Sequence, residues 1–308
     1  MLKKKSGSVS YSRYGYYFTL PFMISFCIFI LVPIGYSIIL SFTDLKSLKP
    51  LSSANFVGLK NFITAITSKQ FWRYFGNVSI IWVMYTIPQM VLGTLFAVWY
   101  ANVTFKVPGV GFYKLAMYMP SIVASVAMGL LFSQIFAYPT GVINNLLKAL
   151  EKEPFNFLLN IWATRSIVAF ICFWKSYGGV MIILMACIKG IDPTLFEAAQ
   201  VDGANNVQTF FHVTLPALRT MILYLTVTSI VGGLQNFEII RMLSGGGPFL
   251  STYSPVYYIY DMGIVDGRYG QAGATAIVFS MMLMLLSAIA FYLLRDRDTL
   301  PRQGRKER

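Results

Sequence analysis

The groups from which a catalytic or metal site is usually built are few and scattered in this sequence. His212 is the single histidine, so neither a histidine cluster nor a Ser-His-Asp relay can be assembled around it, and a structural role fits it better. Cys27, Cys172 and Cys187 fall inside apolar stretches and lack the spacing of zinc ligands. Cys172 and Cys187 share one apolar run, too far apart along a helix to form a disulfide. Gly245-Gly246-Gly247 invites comparison with a phosphate loop, but Pro248 and Phe249 follow where such a loop needs Gly-Lys-Ser/Thr. A tight turn fits that run better. The expectation is a chain with no catalytic residues, no metal and no bound cofactor. What remains is the chemistry of recognition. It resides in a polar bracket at 192–216, a lone Lys175 within an apolar run, and a stripe of Ser229, Gly233 and Asn236 within another.

The elements that must position these residues are not built for water. The 308 residues are 56% hydrophobic, 16% aromatic and only 12% charged, about half the charged fraction of a soluble domain. Mean hydropathy is +0.62. No charged residue lies between Arg13 and Asp44, Arg73 and Lys106, Lys114 and Lys148, Arg219 and Glu238, or Arg268 and Arg295. A bilayer-crossing helix needs roughly 20 mostly apolar residues. These windows, with a stretch interrupted only by Lys175, predict six spans at about 16–42, 78–101, 115–137, 166–188, 216–237 and 270–294. Lys3, Lys4 and Lys5 ahead of the first run resemble the start of a signal peptide. That run is too long for a signal core, however, and no small-residue cleavage site follows it, so an uncleaved span is expected.

The net charge of +13 does not require nucleic acid, because basic residues accumulate on the cytoplasmic side of membrane proteins. With a cytoplasmic start, the inside segments hold Lys3, Lys4, Lys5, Arg13, Lys106, Lys114, Lys189, Arg219 and the six basic residues of the C-terminal tail. The bias is modest, since the 43–77 loop also holds Lys46, Lys49, Lys60, Lys69 and Arg73. The expected organisation is a cytoplasmic tail at 1–15, a membrane domain at 16–294 and a cytoplasmic tail at 295–308. Between Asn55 and Phe75, aromatic and apolar residues alternate with Lys and Gln, which predicts a short amphipathic helix at the membrane surface.

The bracket begins with Asp192, a good helix N-cap, and Pro193, suited to the first turn. Thr194–Val201 makes about two turns of helix, Gly203 permits a turn, and Asn205 or Asn206 caps a second short helix reaching Phe211 or His212. Leu195, Phe196, Ala198 and Ala199 give an apolar surface with small residues at its middle, edged by Glu197 and Asp202. By pattern alone this is either a docking knob or an ordinary amphipathic connector.

Glu197-Ala198-Ala199, then Asp202-Gly203-Ala204, then Phe210 and Val213-Thr214-Leu215-Pro216 resemble the EAA signature of binding-protein-dependent ABC importer permeases. Leu20-Pro21, Val32-Pro33, Ser41-Phe42-Thr43-Asp44, Phe56–Phe62 and Leu243–Pro248 extend the resemblance to the first permease subunit of carbohydrate importers, of the maltose, lactose and glycerol-3-phosphate type. Asn77-Val78 departs from the Asn-Thr of that pattern.

The resemblance implies an all-α membrane protein of six transmembrane helices with the MetI-like ABC importer permease fold, in a bacterial cytoplasmic membrane. The first helix would wrap a second, homologous permease subunit. Glu197, Ala198, Ala199, Asp202, Gly203 and Ala204 would dock on one of two ATPase subunits, which bind ATP and magnesium. An extracytoplasmic solute-binding protein would deliver a sugar or oligosaccharide. By the same resemblance, Ser229, Gly233 and Asn236 fall where the similar maltose permease contacts sugar, with Tyr177 and Gly179 close to the equivalent region.

Two assignments stay open at this stage. Lys175 either faces the pathway or pairs with a neighbouring helix. The polar stripe either meets sugar hydroxyls or bonds between helices. Acidic saccharides and polyol phosphates remain possible substrates. An ion-coupled secondary transporter would want carboxylates inside the spans, and every Asp and Glu lies in a loop, a tail or a span boundary. A membrane enzyme would want clustered His, Asp or Glu near one face.

Overall fold

The computed structural model describes residues 12–46, 50–101 and 108–294. Most of both expected tails, and Lys106, lie outside these residues. The helices in chain order are α1 (Ser12–Phe26), α2 (Val32–Ser41), α3 (Lys60–Thr67), α4 (Lys69–Ala101), α5 (Val110–Ile122), α6 (Ser125–Ile135) and α7 (Val142–Ala149). They continue with α8 (Ile161–Lys189), α9 (Pro193–Val201), α10 (Asn206–Thr209), α11 (Leu215–Leu234), α12 (Glu238–Ser244), α13 (Pro255–Tyr260) and α14 (Tyr269–Leu294). Five helical stretches are long and apolar enough to cross a membrane: 14–41, 69–101, 161–189, 206–234 and 269–294. Counting α5 and α6 as one broken span gives six.

Two junctions between helices are wide π turns, at Cys27–Leu31 and Phe210–Thr214. Each is followed at once by a proline, Pro33 or Pro216. A proline removes the bond to the carbonyl four residues back and its ring crowds that group. In both places that residue, Phe29 or His212, lies within the π turn, so the wider turn absorbs the clash without ending the helix. The second short helix of the bracket therefore does not stop near Phe211; it runs on into α11. The amphipathic stretch at 55–75 is likewise divided. Lys60–Thr67 forms α3, and 69–75 belongs to the first turns of α4.

The chain clusters into two compact units. The first comprises residues up to Thr67 with 259–278. In it, Asn61 donates through Nδ2 to the carbonyls of Ser41 (2.9 Å) and Thr43 (2.8 Å), closing the end of α2. Asp44 accepts from the Asn55 backbone amide at 2.7 Å and its side chain at 3.1 Å. Those bonds hold the Asp44 carboxyl below its usual range. None of the most apolar window of the first membrane helix is buried within the chain.

The second unit comprises the described residues of 68–258 and 279–294. Its axis is the crossing of α4 with α8. Ile81, Tyr85, Met128, Phe132, Ile171 and Ile240 form one buried cluster, and Ala97, Val180, Met181, Leu184 and Leu218 a second. A Cβ on Gly178 would overlap the carbonyl of Met117, so glycine lets α5 lie directly on α8. The expected third span is not one rod: α5 and α6 meet at 92°. Val123 and Ala124 at the corner are extended, with ψ of 133° and 138°.

The segment after α12 turns through left-handed Gly245 and Gly246, and the following Phe249 and Leu250 also have positive φ (51° and 60°). Non-glycine residues hold this conformation only when neighbours fix them. Here Arg73 Nη2 donates to the Phe249 carbonyl and Asn77 Nδ2 to the Leu250 carbonyl, both at 2.8 Å. Arg165 donates to Asn77 Oδ1 at 2.8 Å and to the Ser251 carbonyl at 3.1 Å. Asn77→Leu removes both of its bonds and should cost about 1–3 kcal/mol. The expected result is a lower thermal midpoint and faster hydrogen exchange confined to 249–252. Unchanged exchange there would mean that the turn is held by something else.

Candidate functional site: a polar cavity and an exposed helical bracket

The second unit encloses a cavity of about 730 Å³. Its walls come from α4 (Tyr85, Gln89), α8 (Lys175, Ser176, Gly179) and α11 (Thr228, Ser229, Gly232, Gly233). Ser121 and Ser125 reach it from either side of the α5–α6 corner. The break between α11 and α12 adds Gln235, Asn236 and Glu238.

Of the expected pathway residues, Lys175, Gly179, Ser229, Gly233 and Asn236 all line this space. Tyr177 does not. It faces the other side of α8, where its ring stacks on Phe173 (centroids 5.3 Å apart) and meets Phe96 at 6.4 Å. The difference is helical phase: positions 175 and 179 are one turn apart on one face, and 177 is half a turn away.

The two glycines act differently. No atom lies within 4 Å of the Cβ position of Gly179, which leaves room in the cavity. A Cβ on Gly233 would strike Tyr85 Oη and the Trp82 ring, so this glycine is where α4 closes on α11. Asn236 donates through Nδ2 to Cys172 Sγ at 2.7 Å, which fixes its amide beside the cavity. Gln89 was missed from sequence. It is buried, and its Oε1 accepts from Ser176 Oγ at 2.9 Å. A glutamine deep in an apolar span was the available signal. Ser121, Ser125, Gln235 and Glu238 were also missed, because only the helix breaks bring them to the same wall.

Lys175 is not free. Its Nζ donates to the Val123 carbonyl at 2.8 Å and to Ser125 Oγ at 2.9 Å. Ser229 bonds within its own helix, to the Thr226 carbonyl at 2.8 Å.

The second feature is the bracket. Asp192 Oδ1 accepts from the Thr194 amide at 3.0 Å and caps α9. That bond lowers the Asp192 pKa. A carboxyl whose pKa falls on folding contributes above its unfolded pKa and loses that contribution as pH drops through the folded one. The cap is therefore complete at neutral pH and fails only below the usual carboxylate range.

At the other end of α9, the Gly203 amide donates to the Gln200 carbonyl (3.0 Å) and the Ala204 amide to the Ala199 carbonyl (2.9 Å). With Gly203 at φ +76°, this is a Schellman stop. Asn205 and Gln208 then form a reciprocal capping box, with bonds of 2.8 and 2.9 Å, that starts α10. Glu197, Ala198, Asp202 and Gly203 are exposed, while Ala199 and Ala204 are half-buried. The bracket is bonded at both ends of α9, yet among the described residues no α9 side chain is fully buried and Leu195 is half-exposed.

A family model described as the binding-protein-dependent transport system inner membrane component matches residues 62–300. Over 294 residues the chain is 31% identical to the probable ABC transporter permease protein YesP of Bacillus subtilis, covering 94% of this chain and 93% of that protein. It is 28% identical to the arabinooligosaccharides transport system permease protein AraP of the same organism, over 90% of this chain and 87% of AraP. A solved bacterial alginate ABC transporter, in complex with an alginate pentasaccharide-bound periplasmic protein, contains a chain of like fold. The TM-score is 0.79 at 25% identity, covering 92% of this chain and 94% of that one. The chain belongs to the binding-protein-dependent transport system inner membrane component family. It is a multi-pass membrane permease of the ABC transporter type.

Gly203 separates backbone from contact effects, since no atom lies within 4 Å of its Cβ position. Gly203→Val forces a β-branched residue into the left-handed region and should speed hydrogen exchange at 199–206 at least about ten-fold. Gly203→Asn tolerates that region and should stay within about three-fold of the wild type. Equal exchange in all three proteins would mean that the turn does not depend on its left-handed residue.

Proposed function

We propose that this chain is one of two permease subunits of an ATP-driven importer that takes up a sugar or oligosaccharide. A solute-binding protein delivers the substrate on the extracytoplasmic side, as the periplasmic protein does for the solved alginate transporter. The substrate passes through a path shared with a second permease, to which the apolar surface of the first helix is suited. The cavity on this chain is its share of that path. Gln89, Thr228, Ser229, Gln235 and Asn236 supply donors and acceptors for hydroxyl groups.

ATP hydrolysis belongs to two separate ATPase subunits, and magnesium is bound there. Glu197, Ala198, Ala199, Asp202, Gly203 and Ala204 form the docking surface on this side. ATP favours one state of the ATPase pair. The rigid bracket transmits that preference into alternating access because its two ends are capped and cannot unwind under load. Both termini, and the bracket, are cytoplasmic on this reading. The observation that carries it is the capped and exposed bracket, which puts the small residues of the EAA segment on a surface. The names of the relatives, led by the arabinooligosaccharides permease AraP, support a saccharide.

The test is ATP hydrolysis by the whole complex in lipid nanodiscs, with the cognate binding protein and a panel of neutral and acidic oligosaccharides. One class should stimulate hydrolysis. Asn236→Leu, which loses a fixed hydrogen-bonding group at the cavity, should cut the stimulated rate about ten-fold while leaving assembly intact. Uptake driven by a proton or sodium gradient without ATP would sink the reading.

A further inference from the structure

Lys175 is the single basic residue among those lining the cavity, and Glu238 the single acidic one. A lysine within a membrane helix is costly unless its ammonium is bonded. Both of its bonds, to the Val123 carbonyl and Ser125 Oγ, go to the corner where α5 and α6 meet at 92°. Val123 is the residue after the last turn of α5 and is extended, so its carbonyl lies outside the helical ladder. The carbonyl end of a helix carries partial negative charge, and a cation there is favourable. In hydrocarbon a freed backbone group must find such a partner, because water is absent.

We infer that Lys175 is a positioning residue of the pathway: its ammonium latches the α5–α6 corner to α8 at the cavity wall, and the cavity takes an uncharged saccharide. The substrate class rests on the saccharide reading above; the latch rests on geometry alone. Two of the three ammonium donors of Lys175 are held by the Val123 carbonyl and Ser125 Oγ, which leaves a carboxylate at most one. The one other charged group of the lining, Glu238, repels an anion. The remaining polar lining consists of neutral amides and hydroxyls, which match sugar hydroxyls. This separates the chain from the solved transporter it resembles, whose substrate alginate is an acidic polysaccharide.

The experiment uses the assembled complex with its binding protein. Hydrogen exchange at 118–126 and stimulated ATP hydrolysis are compared for wild type, Lys175→Met, Lys175→Arg and Ser125→Ala. Loss of a charged hydrogen bond corresponds to about ten- to a hundred-fold faster local opening, so Lys175→Met should show that increase in exchange and at least about a ten-fold loss of stimulated hydrolysis. Lys175→Arg keeps a donor and should restore both to within about three-fold. Ser125→Ala, a small change that keeps the lysine, should accelerate exchange by less than Lys175→Met. Wild type should respond to neutral and not to uronic-acid oligosaccharides. Unchanged exchange in Lys175→Met overturns the latch. A uronic-acid response in wild type that Lys175→Met alone abolishes makes Lys175 an anion receptor and overturns the inference. If no saccharide of either class stimulates, the saccharide reading and the substrate class fall together, while the exchange data still decide the latch.

Discussion

In a hydrocarbon medium a peptide group freed from its helix has no water to turn to, and each unpaired group costs several kcal/mol. The architecture of the second unit follows from where this protein breaks its helices and what it offers the groups released there. At the α5–α6 corner the donor is Lys175, brought from another helix. At the 245–252 turn, where left-handed residues follow one another, the donors are Arg73, Asn77 and Arg165. At Pro33 and Pro216 a π turn spans the residue whose carbonyl the proline cannot meet. Lys175, Arg73, Asn77 and Arg165 thus each bond a carbonyl that a break or turn has released.

The breaks are also what make the cavity. At the corner, Ser121 near the end of α5 and Ser125 at the start of α6 both border the cavity. The interruption between α11 and α12 adds Gln235, Asn236 and Glu238. Small residues set the dimensions. Gly178 lets two helices touch backbone to backbone, Gly233 backbone to side chain, and Gly179 leaves its own volume empty. A polar cavity in a membrane protein is thereby obtained with few charged groups, because backbone breaks and short hydroxyl or amide side chains supply the polarity.

The bracket follows a different logic. Its first helix lies outside the apolar stretches, and its ends are fixed by local bonds: an Asp cap, a Schellman stop and a capping box in succession. The segment Glu197–Ala204 combines small exposed residues with a turn that only a residue tolerant of positive φ completes. A surface shaped this way is stiff without a core of its own. The proposed docking on an ATPase subunit would use that stiffness.

The sequence by itself determined the membrane class, the number and approximate places of the apolar helices, and the caps and turn of the bracket. Each of these depends on composition or on residues within about one helical turn of each other. It also marked five cavity residues, Lys175 as a charge within an apolar run and Gly179, Ser229, Gly233 and Asn236 through a resemblance. Tertiary structure alone decided the rest. The right-angled corner was invisible because Val123 and Ala124 are ordinary apolar residues, and their partner lies about fifty positions away in Lys175. Tyr177 was misplaced because proximity in sequence does not fix which side of α8 faces the cavity. Gln89 gained its role only when Ser176 of a different helix met it. Local hydrogen bonds and hydropathy are written in neighbouring residues, whereas the direction in which a broken helix turns is set by whichever distant side chain satisfies its freed carbonyl.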